Sequence, residues 1–96
     1  MRCFYVYITT NPSKTVLYIG VTNDLARRMN EHRENRNNKL KFAGRYFCYN
    51  LIYYEEFYDI KEAISREKEI KKWHREKKEN LINTINPEWN TIHVFY

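Results

Sequence analysis

The sequence has few of the features that mark disulfide-bonded, zinc-binding or membrane proteins. Its two cysteines, Cys3 and Cys48, lie far apart, so they form neither a closely spaced zinc-ligand pair nor a disulfide framework. The amino-terminal "MRCFYVYITT" is too short and too polar for a secretory signal. No run approaches the roughly 20 apolar residues that cross a membrane. We therefore expect a soluble cytoplasmic protein without membrane association.

The length and composition predict one folded domain over residues 1–96. A chain of 96 residues is near the size at which a single hydrophobic core holds a fold. Apolar residues make up 43% of the chain and aromatic residues 17%, which is too much for a disordered chain. No internal repeat or linker divides the sequence.

The positive charge is concentrated in one part of the chain. The net charge is +5, and residues 25–45 hold seven lysines and arginines against two glutamates. A basic segment interleaved with aromatic residues suits a polyanion such as nucleic acid, because phosphate contacts release counterions. A solvated basic loop explains the same pattern, and charge alone does not separate the two interpretations.

The predicted strands are rich in β-branched and aromatic residues. Residues 3–9 and 15–21 flank the turn signal Asn11-Pro12 and predict an antiparallel hairpin. Residues 47–57, "FCYNLIYYEEF", predict a third strand. The polar, basic residues 33–43 predict a loop.

Three helices follow from capping residues and apolar periodicity. The first covers residues 25–32 after the N-cap candidates Thr22, Asn23 and Asp24. The second begins at Asp59, with Glu62 as in a capping box, and continues or breaks near residues 73–74. A third apolar patch ends before Asn86-Pro87, and its members are Leu81, Ile82 and Ile85. The order β-β-α-β-α-α indicates an α+β fold, with a small antiparallel sheet and helices packed on it.

Two tyrosines are predicted to share one face of the hairpin. Side chains alternate along a strand, so Tyr5 and Tyr7 lie on one face, and Tyr18 and Gly20 lie on the matching face of the next strand. A four-residue turn over residues 11–14 would place Tyr7 directly opposite Tyr18. Gly20 would leave open space for a ligand. An ordinary cross-strand aromatic pair is the alternative.

Polar side chains also interrupt the apolar faces of the helices. Arg28 and His32 are four residues apart and face partly inward, whereas Arg27 points further outward. Glu67 interrupts the apolar stripe of the second helix, which is costly without a partner or a metal. An i,i+4 ion pair with Lys71 is the alternative. Together, two phenols, a guanidinium, an imidazole and a carboxylate suit phosphodiester cleavage.

These residues resemble the signature of the GIY-YIG nucleases, especially their small single-domain members. The stretch "YVY" at residues 5–7 stands where that family has GIY, and "YIG" at residues 18–20 matches the second motif. The resemblance covers nearly the whole chain. The further matching positions are Arg28, His32, Glu67 in "AISRE" and Asn90 in "NPEWN", for which Asn86 competes.

The resemblance implies roles for the residues around the phosphate. Tyr7 would be the general base on the attacking water and Tyr18 would position the water or the phosphate, although the two roles could be exchanged. Arg28 would neutralise charge on the phosphorane. His32 would donate a hydrogen bond to phosphate or orient a tyrosine.

It also implies a cofactor and a structural glycine. Glu67 would hold one Mg²⁺ or Mn²⁺ ion, which stabilises the leaving 3′ oxygen. Asn90 would support Glu67 or the metal's ligand shell, and Gly20 would be structural. Basic residues would contact the nucleic acid, namely Arg27, Arg33, Arg36, Lys39, Lys41, Arg45, Lys71 and Lys72.

The implied activity is that of a metal-dependent endonuclease on DNA, structure-selective or nonspecific, in repair or recombination. The sequence departs from the family at Tyr5, which replaces the first glycine, and at Val21, where some members have a lysine. No DNA-recognition segment is expected, so a protein partner would supply any specificity. The alternatives are a nucleic-acid-binding module without catalysis and, less favoured, a protein-interaction adaptor.

Overall fold

The computed structural model describes residues 3–34 and 48–94, which form a three-stranded antiparallel sheet with helices packed on it. The elements are β1 (Phe4–Thr10), β2 (Leu17–Thr22), α1 (Leu25–Glu34), β3 (Asn50–Phe57), α2 (Ile60–Lys71) and α3 (Arg75–Asn83). The strands lie in the order β2-β1-β3. The predicted α+β fold and the order β-β-α-β-α-α are therefore confirmed. None of the helices in the described ranges is long and apolar enough to cross a membrane.

The hairpin between β1 and β2 has a longer connection than the four-residue turn that was predicted. The last strand pair is Thr10 with Leu17, so residues 11–16 form the connection. The side chain of Asn11 accepts hydrogen bonds from the backbone N–H groups of Thr15 and Val16, at 2.8 and 3.0 Å. Because the N–H groups of Thr15 and Val16 already have this side-chain partner, these two residues do not pair with β1.

The longer connection shifts the strand register by two residues. Tyr7 lies opposite Gly20, and Tyr18 lies opposite Thr9. The prediction that Tyr7 lies directly opposite Tyr18 is therefore wrong. Because side chains alternate with a period of two, the shift leaves both tyrosines on the same face of the sheet.

Two hydrophobic cores cover the two faces of the sheet. On one face, Tyr7 and Leu51 pack against Leu25 and Met29 of α1. On the other face, aliphatic side chains of the strands pack against α2 and α3. The buried members of that second core are Val6, Ile8, Ile19, Ile52, Tyr53, Ala63, Ile70 and Ile82. The tyrosine face is thus covered by α1 alone among the described helices.

The first helix begins where capping residues predict and ends later than predicted. The Oδ1 atom of Asp24 accepts a hydrogen bond from the N–H of Arg27 at 3.1 Å, which selects Asp24 among the three N-cap candidates. The helix continues to Glu34, so Arg33 is helical and not in a loop; its guanidinium contacts Asn30 at 2.7 Å. The rest of the predicted basic loop and Phe47 lie outside the described residues.

The two later helices are separated by a break at residues 72–74. Asp59 caps α2, as predicted, and His74 occupies the N-cap position of α3. The third helix ends at Asn83, so Ile85 is 64% exposed and does not join the predicted apolar patch. The side chain of Asn86 then donates to the carbonyl of Ile52 at 2.8 Å, which fastens the following turn to β3.

Candidate active site

Tyr7 fills the space above Gly20 in the neighbouring strand. A Cβ atom at residue 20 would lie 2.6 Å from Cζ of Tyr7, closer than van der Waals contact allows. Tyr7 itself is 0% exposed. The predicted open space beside Gly20 is therefore absent, because the phenol ring of Tyr7 occupies it. The glycine permits the close approach of this ring to the β2 backbone.

Tyr7 and His32 are joined by a buried hydrogen bond. The Tyr7 hydroxyl lies 3.0 Å from Nε2 of His32, and Nδ1 of His32 lies 3.0 Å from the backbone carbonyl of Cys48. A carbonyl oxygen can only accept a hydrogen bond, so Nδ1 carries the ring proton and donates this hydrogen bond to it. In the neutral imidazole Nε2 is then the acceptor, and the Tyr7 hydroxyl donates to it. His32 is therefore hydrogen-bonded to a tyrosine, and its predicted role of orienting that residue for the reaction stays a prediction.

Tyr18 lies beside this pair and reaches the surface. Its ring centroid is 6.2 Å from that of Tyr7 and 5.3 Å from that of His32. Tyr18 is partly exposed, whereas His32 is 5% exposed. Of the two phenols, Tyr18 is thus the one that an external ligand can contact.

Arg28 turns toward the phenols, as its position on the first helix predicts. It is half-buried, while Arg27 is exposed. One terminal nitrogen, Nη1, lies 3.2 Å from Oε1 of Glu31. The Nε atom of Arg28 is buried and has no hydrogen-bond partner among the described residues. Buried donors without a hydrogen-bond partner are uncommon in folded proteins.

Burial and charge shift the pKa values of this cluster. Burial raises the pKa of Tyr7, Tyr18 raises it further, and the positive charge of Arg28 opposes both effects. Burial also lowers the pKa of His32, although the Cys48 carbonyl acts in the opposite direction. His32 is therefore held neutral and Tyr7 protonated at pH 7. Burial favours the neutral form of Arg28, but Tyr7 and Glu31 outweigh it and raise its pKa.

Glu67 lies on α2 and is paired with a lysine. Its Oε2 atom is 3.3 Å from Nζ of Lys71, and the Glu67 side chain is 18% exposed. The alternative i,i+4 ion pair predicted from the sequence is thus present. In the described parts of the chain, no group of three or more His, Cys, Asp or Glu side chains could hold a metal ion. A metal ion at Glu67 would have this one carboxylate as its protein ligand, and water or substrate oxygens would fill its other coordination positions.

The two candidate asparagines play different structural parts. Oδ1 of Asn86 accepts from the N–H of Asn90 at 3.0 Å, and its amide donates to the carbonyl of Asn90 at 2.9 Å. Asn86 therefore closes the turn, while Asn90 is exposed. Among the described residues, no hydrogen bond joins Asn90 to Glu67. The supporting role of Asn90 stays a prediction.

The predicted nucleic-acid contacts fall partly within the structure. Arg27, Arg33 and Lys71 are exposed on α1 and α2, and Lys72 is exposed just after the end of α2. Four others lie outside the described residues, namely Arg36, Lys39, Lys41 and Arg45. Tyr5, which replaces the first glycine of the motif, packs edge-on against Tyr54 with ring centroids 6.0 Å apart.

Two groups at the site were not predicted. Glu31 is three residues after Arg28, a spacing from which their ion pair could have been inferred. The carbonyl of Cys48 fixes the tautomer of His32, but a backbone group leaves no mark on sequence pattern. Only the tertiary structure reveals it.

Three known proteins are similar to this chain in sequence or in fold. A UPF0213 protein of Haloquadratum walsbyi is 39% identical over 77 residues, which cover 80% of this chain and 83% of that protein. A UPF0213 protein of Bacillus velezensis is 37% identical over 91 residues, covering 95% and 87%. The solution NMR structure of a UPF0213 protein from Bacillus halodurans superposes with a TM-score of 0.55 at 26% identity, covering 91% of this chain and 89% of that one.

A known protein family also matches most of this chain. Residues 3–80 correspond to the GIY-YIG catalytic domain, and this range contains both tyrosine motifs, α1 and Glu67. Since most of the chain matches, it belongs to the GIY-YIG nuclease family.

Proposed function

We propose that this protein is a metal-dependent endonuclease that hydrolyses phosphodiester bonds of DNA. The observation that carries the proposal is the cluster of two phenols, an imidazole and a guanidinium between α1 and the sheet. The rings of Tyr7 and Tyr18 each lie within 5.5 Å of the His32 ring. Arg28 is close enough to both phenols for each to raise its pKa.

The burial of Tyr7 favours the exchanged assignment of the tyrosines. Tyr18 reaches the surface, so in this proposal it contacts the attacking water and accepts its proton. A free phenol has a pKa of about 10, so a general base of this kind needs a nearby cation or metal ion to act at neutral pH. Tyr7 and His32 act as positioning residues behind Tyr18, because the hydrogen bond that joins them is buried.

Arg28 is proposed to neutralise the charge that develops on phosphorus. Its guanidinium can bind two phosphate oxygens at once, which a lysine cannot do. The partial burial of Arg28 beside Tyr7 supports this role, because a guanidinium partly removed from water interacts more strongly with a phosphate.

Glu67 is the proposed ligand of one Mg²⁺ or Mn²⁺ ion. A partly exposed carboxylate is a hard oxygen donor with room for water molecules beside it, which suits these ions. When bound, the ion supplies positive charge to the leaving 3′ oxygen. Asn90 is kept in the proposal as a supporting residue.

The proposed substrate is DNA, cut with structural selectivity or without specificity, in repair or recombination. The net charge of +5 and the exposed cations of α1 and α2 support binding along a phosphate backbone. A protein partner would supply any sequence specificity.

A nicking assay on supercoiled plasmid with Mg²⁺ or Mn²⁺ tests the nuclease. We expect cleavage by the wild type and a loss of about 100-fold or more in Tyr18→Phe, Arg28→Lys and Glu67→Gln. Tyr58→Phe and Glu69→Gln change the same residue types at exposed positions, so they should cleave normally.

Two results would overturn the proposal. One is the absence of cleavage by folded wild-type protein, and salt-sensitive DNA binding in that sample would identify a binding module instead. The other is cleavage that persists unchanged in all three site variants. That result would mean that a contaminating enzyme, and not this site, cuts the plasmid.

A further inference from the structure

A cleft next to Arg28 has no role in the proposed reaction. Its volume is about 380 Å³, and it opens between α1, the end of β2 and the beginning of α2. Phe4, Val21 and Ile60 provide its apolar surface, and Arg27 and Arg28 border it with positive charge. Small-molecule sites commonly have volumes of about 300–1,000 Å³, so the cleft suits a ligand of nucleotide size.

Of the two arginines at the cleft, Arg27 has no other assigned role. Arg28 is paired with Glu31 at 3.2 Å and is already assigned to the phosphate that is cut. Arg27 has no acidic partner among the described residues; its Nη2 atom donates to Oδ1 of Asn23 at 3.1 Å, which holds the guanidinium at the cleft. A ligand with one phosphate charge and a flat apolar part would match both the cation and the apolar surface.

Arg28 borders the cleft and also faces the tyrosines. A ligand in the cleft would therefore lie beside the group that Arg28 is proposed to hold. On α2, Ile60 and Glu67 are seven residues apart, about two helical turns, so they lie on the same side of the helix. The cleft thus extends from Arg28 to the start of α2.

We infer that this cleft binds one nucleotide of the DNA strand, adjacent to the phosphate that is cut. Its base lies on the surface of Phe4, Val21 and Ile60, and Arg27 binds its phosphate. As a subsite the cleft rests on the proposed nuclease function, but nucleotide binding can be measured without cleavage.

The test is an NMR titration of the full chain with thymidine 3′,5′-bisphosphate, in EDTA to prevent cleavage. We expect the largest methyl shifts at Val21 and Ile60. Ile60→Glu and Arg27→Ala should each weaken binding about tenfold, because they remove an apolar contact or a charge-assisted hydrogen bond.

Matched controls change the same properties away from the cleft. Ile64→Glu alters an isoleucine of equal exposure on the same helix, 39% against 38% for Ile60. Lys68→Ala removes an exposed cation from that helix. Both should bind within about twofold of the wild type. Circular dichroism melts confirm that each variant is folded.

Shifts elsewhere, equal loss in variants and controls, or absence of binding would overturn the inference. Plasmid cleavage without nucleotide binding would remove the subsite and retain the nuclease. Binding in the cleft without any plasmid cleavage would retain the nucleotide site and remove the nuclease.

Discussion

The hydroxyl of Tyr7 donates a hydrogen bond to Nε2 of His32 across 3.0 Å, and both side chains are buried between α1 and the sheet. The pair is therefore part of the hydrophobic core and part of the proposed active site. Substitutions here change the free energy of unfolding as well as the activity, so the two effects must be measured separately.

Tyr7→Phe should lower the free energy of unfolding by about 1–2 kcal/mol. The change removes the donor and leaves the buried Nε2 atom of His32 without a partner. Urea denaturation measures the effect. Tyr58→Phe is the control, because Tyr58 is 66% exposed and its change should be near zero. Equal stability of the two variants would contradict the buried hydrogen bond.

Stability should fall as the pH falls below about 6.5, the usual pKa of histidine. Burial lowers the pKa of His32 in the folded state, so the unfolded chain binds the proton more readily. Protonation at low pH therefore stabilises the unfolded state relative to the folded state. The loss proceeds from the unfolded pKa down to the lowered folded pKa. Urea denaturation between pH 5 and pH 8 would measure it against His32→Gln. The stability advantage of the wild type should shrink at low pH; parallel curves would show that His32 does not contribute.

Gly20→Ala should destabilise the fold by about 1–3 kcal/mol, as overpacking in cores does. The added Cβ atom would meet the Tyr7 ring at 2.6 Å from Cζ. The same change in a Tyr7→Leu background should cost less, because the ring is gone. A double-mutant cycle from urea denaturation measures this coupling. Additive costs would mean that the glycine is needed for the backbone alone.

Lys71→Met should raise the affinity for Mn²⁺ about two- to fivefold, because the ammonium 3.3 Å from Glu67 competes with the ion for the carboxylate. Electron paramagnetic resonance of Mn²⁺ measures binding. Lys68→Met is the charge-matched control and should have little effect, while Glu67→Gln should abolish binding. A wild-type affinity in both Lys71→Met and Glu67→Gln would exclude Glu67 as the ligand.

Local patterns were sufficient for the elements but not for the hairpin register. β-branched runs located the strands, and Asp24 and Asp59 located the helix starts, because capping depends on neighbouring residues. The register failed because the side chain of Asn11 satisfies the N–H groups of Thr15 and Val16. Such a bond competes with strand pairing, and a turn signal does not show which of them prevails.

The residues of the site were predictable as types and directions. Strand alternation placed Tyr7 and Tyr18 on one face even though their register was wrong, since a shift of two residues preserves the face. Helical spacing turned Arg28 inward and left Arg27 exposed. These results depend only on fixed geometric periods along the chain.

The sequence alone thus determined the fold class, the two tyrosine motifs and the inward direction of Arg28. Only the tertiary structure decided that Tyr7 is buried over Gly20 and that Tyr18 is partly exposed to solvent. It also decided that the Cys48 carbonyl selects the tautomer of His32 with the proton on Nδ1. The physical reason is that burial and backbone partners arise from contacts between distant segments, whereas periodicity and capping act within a few residues.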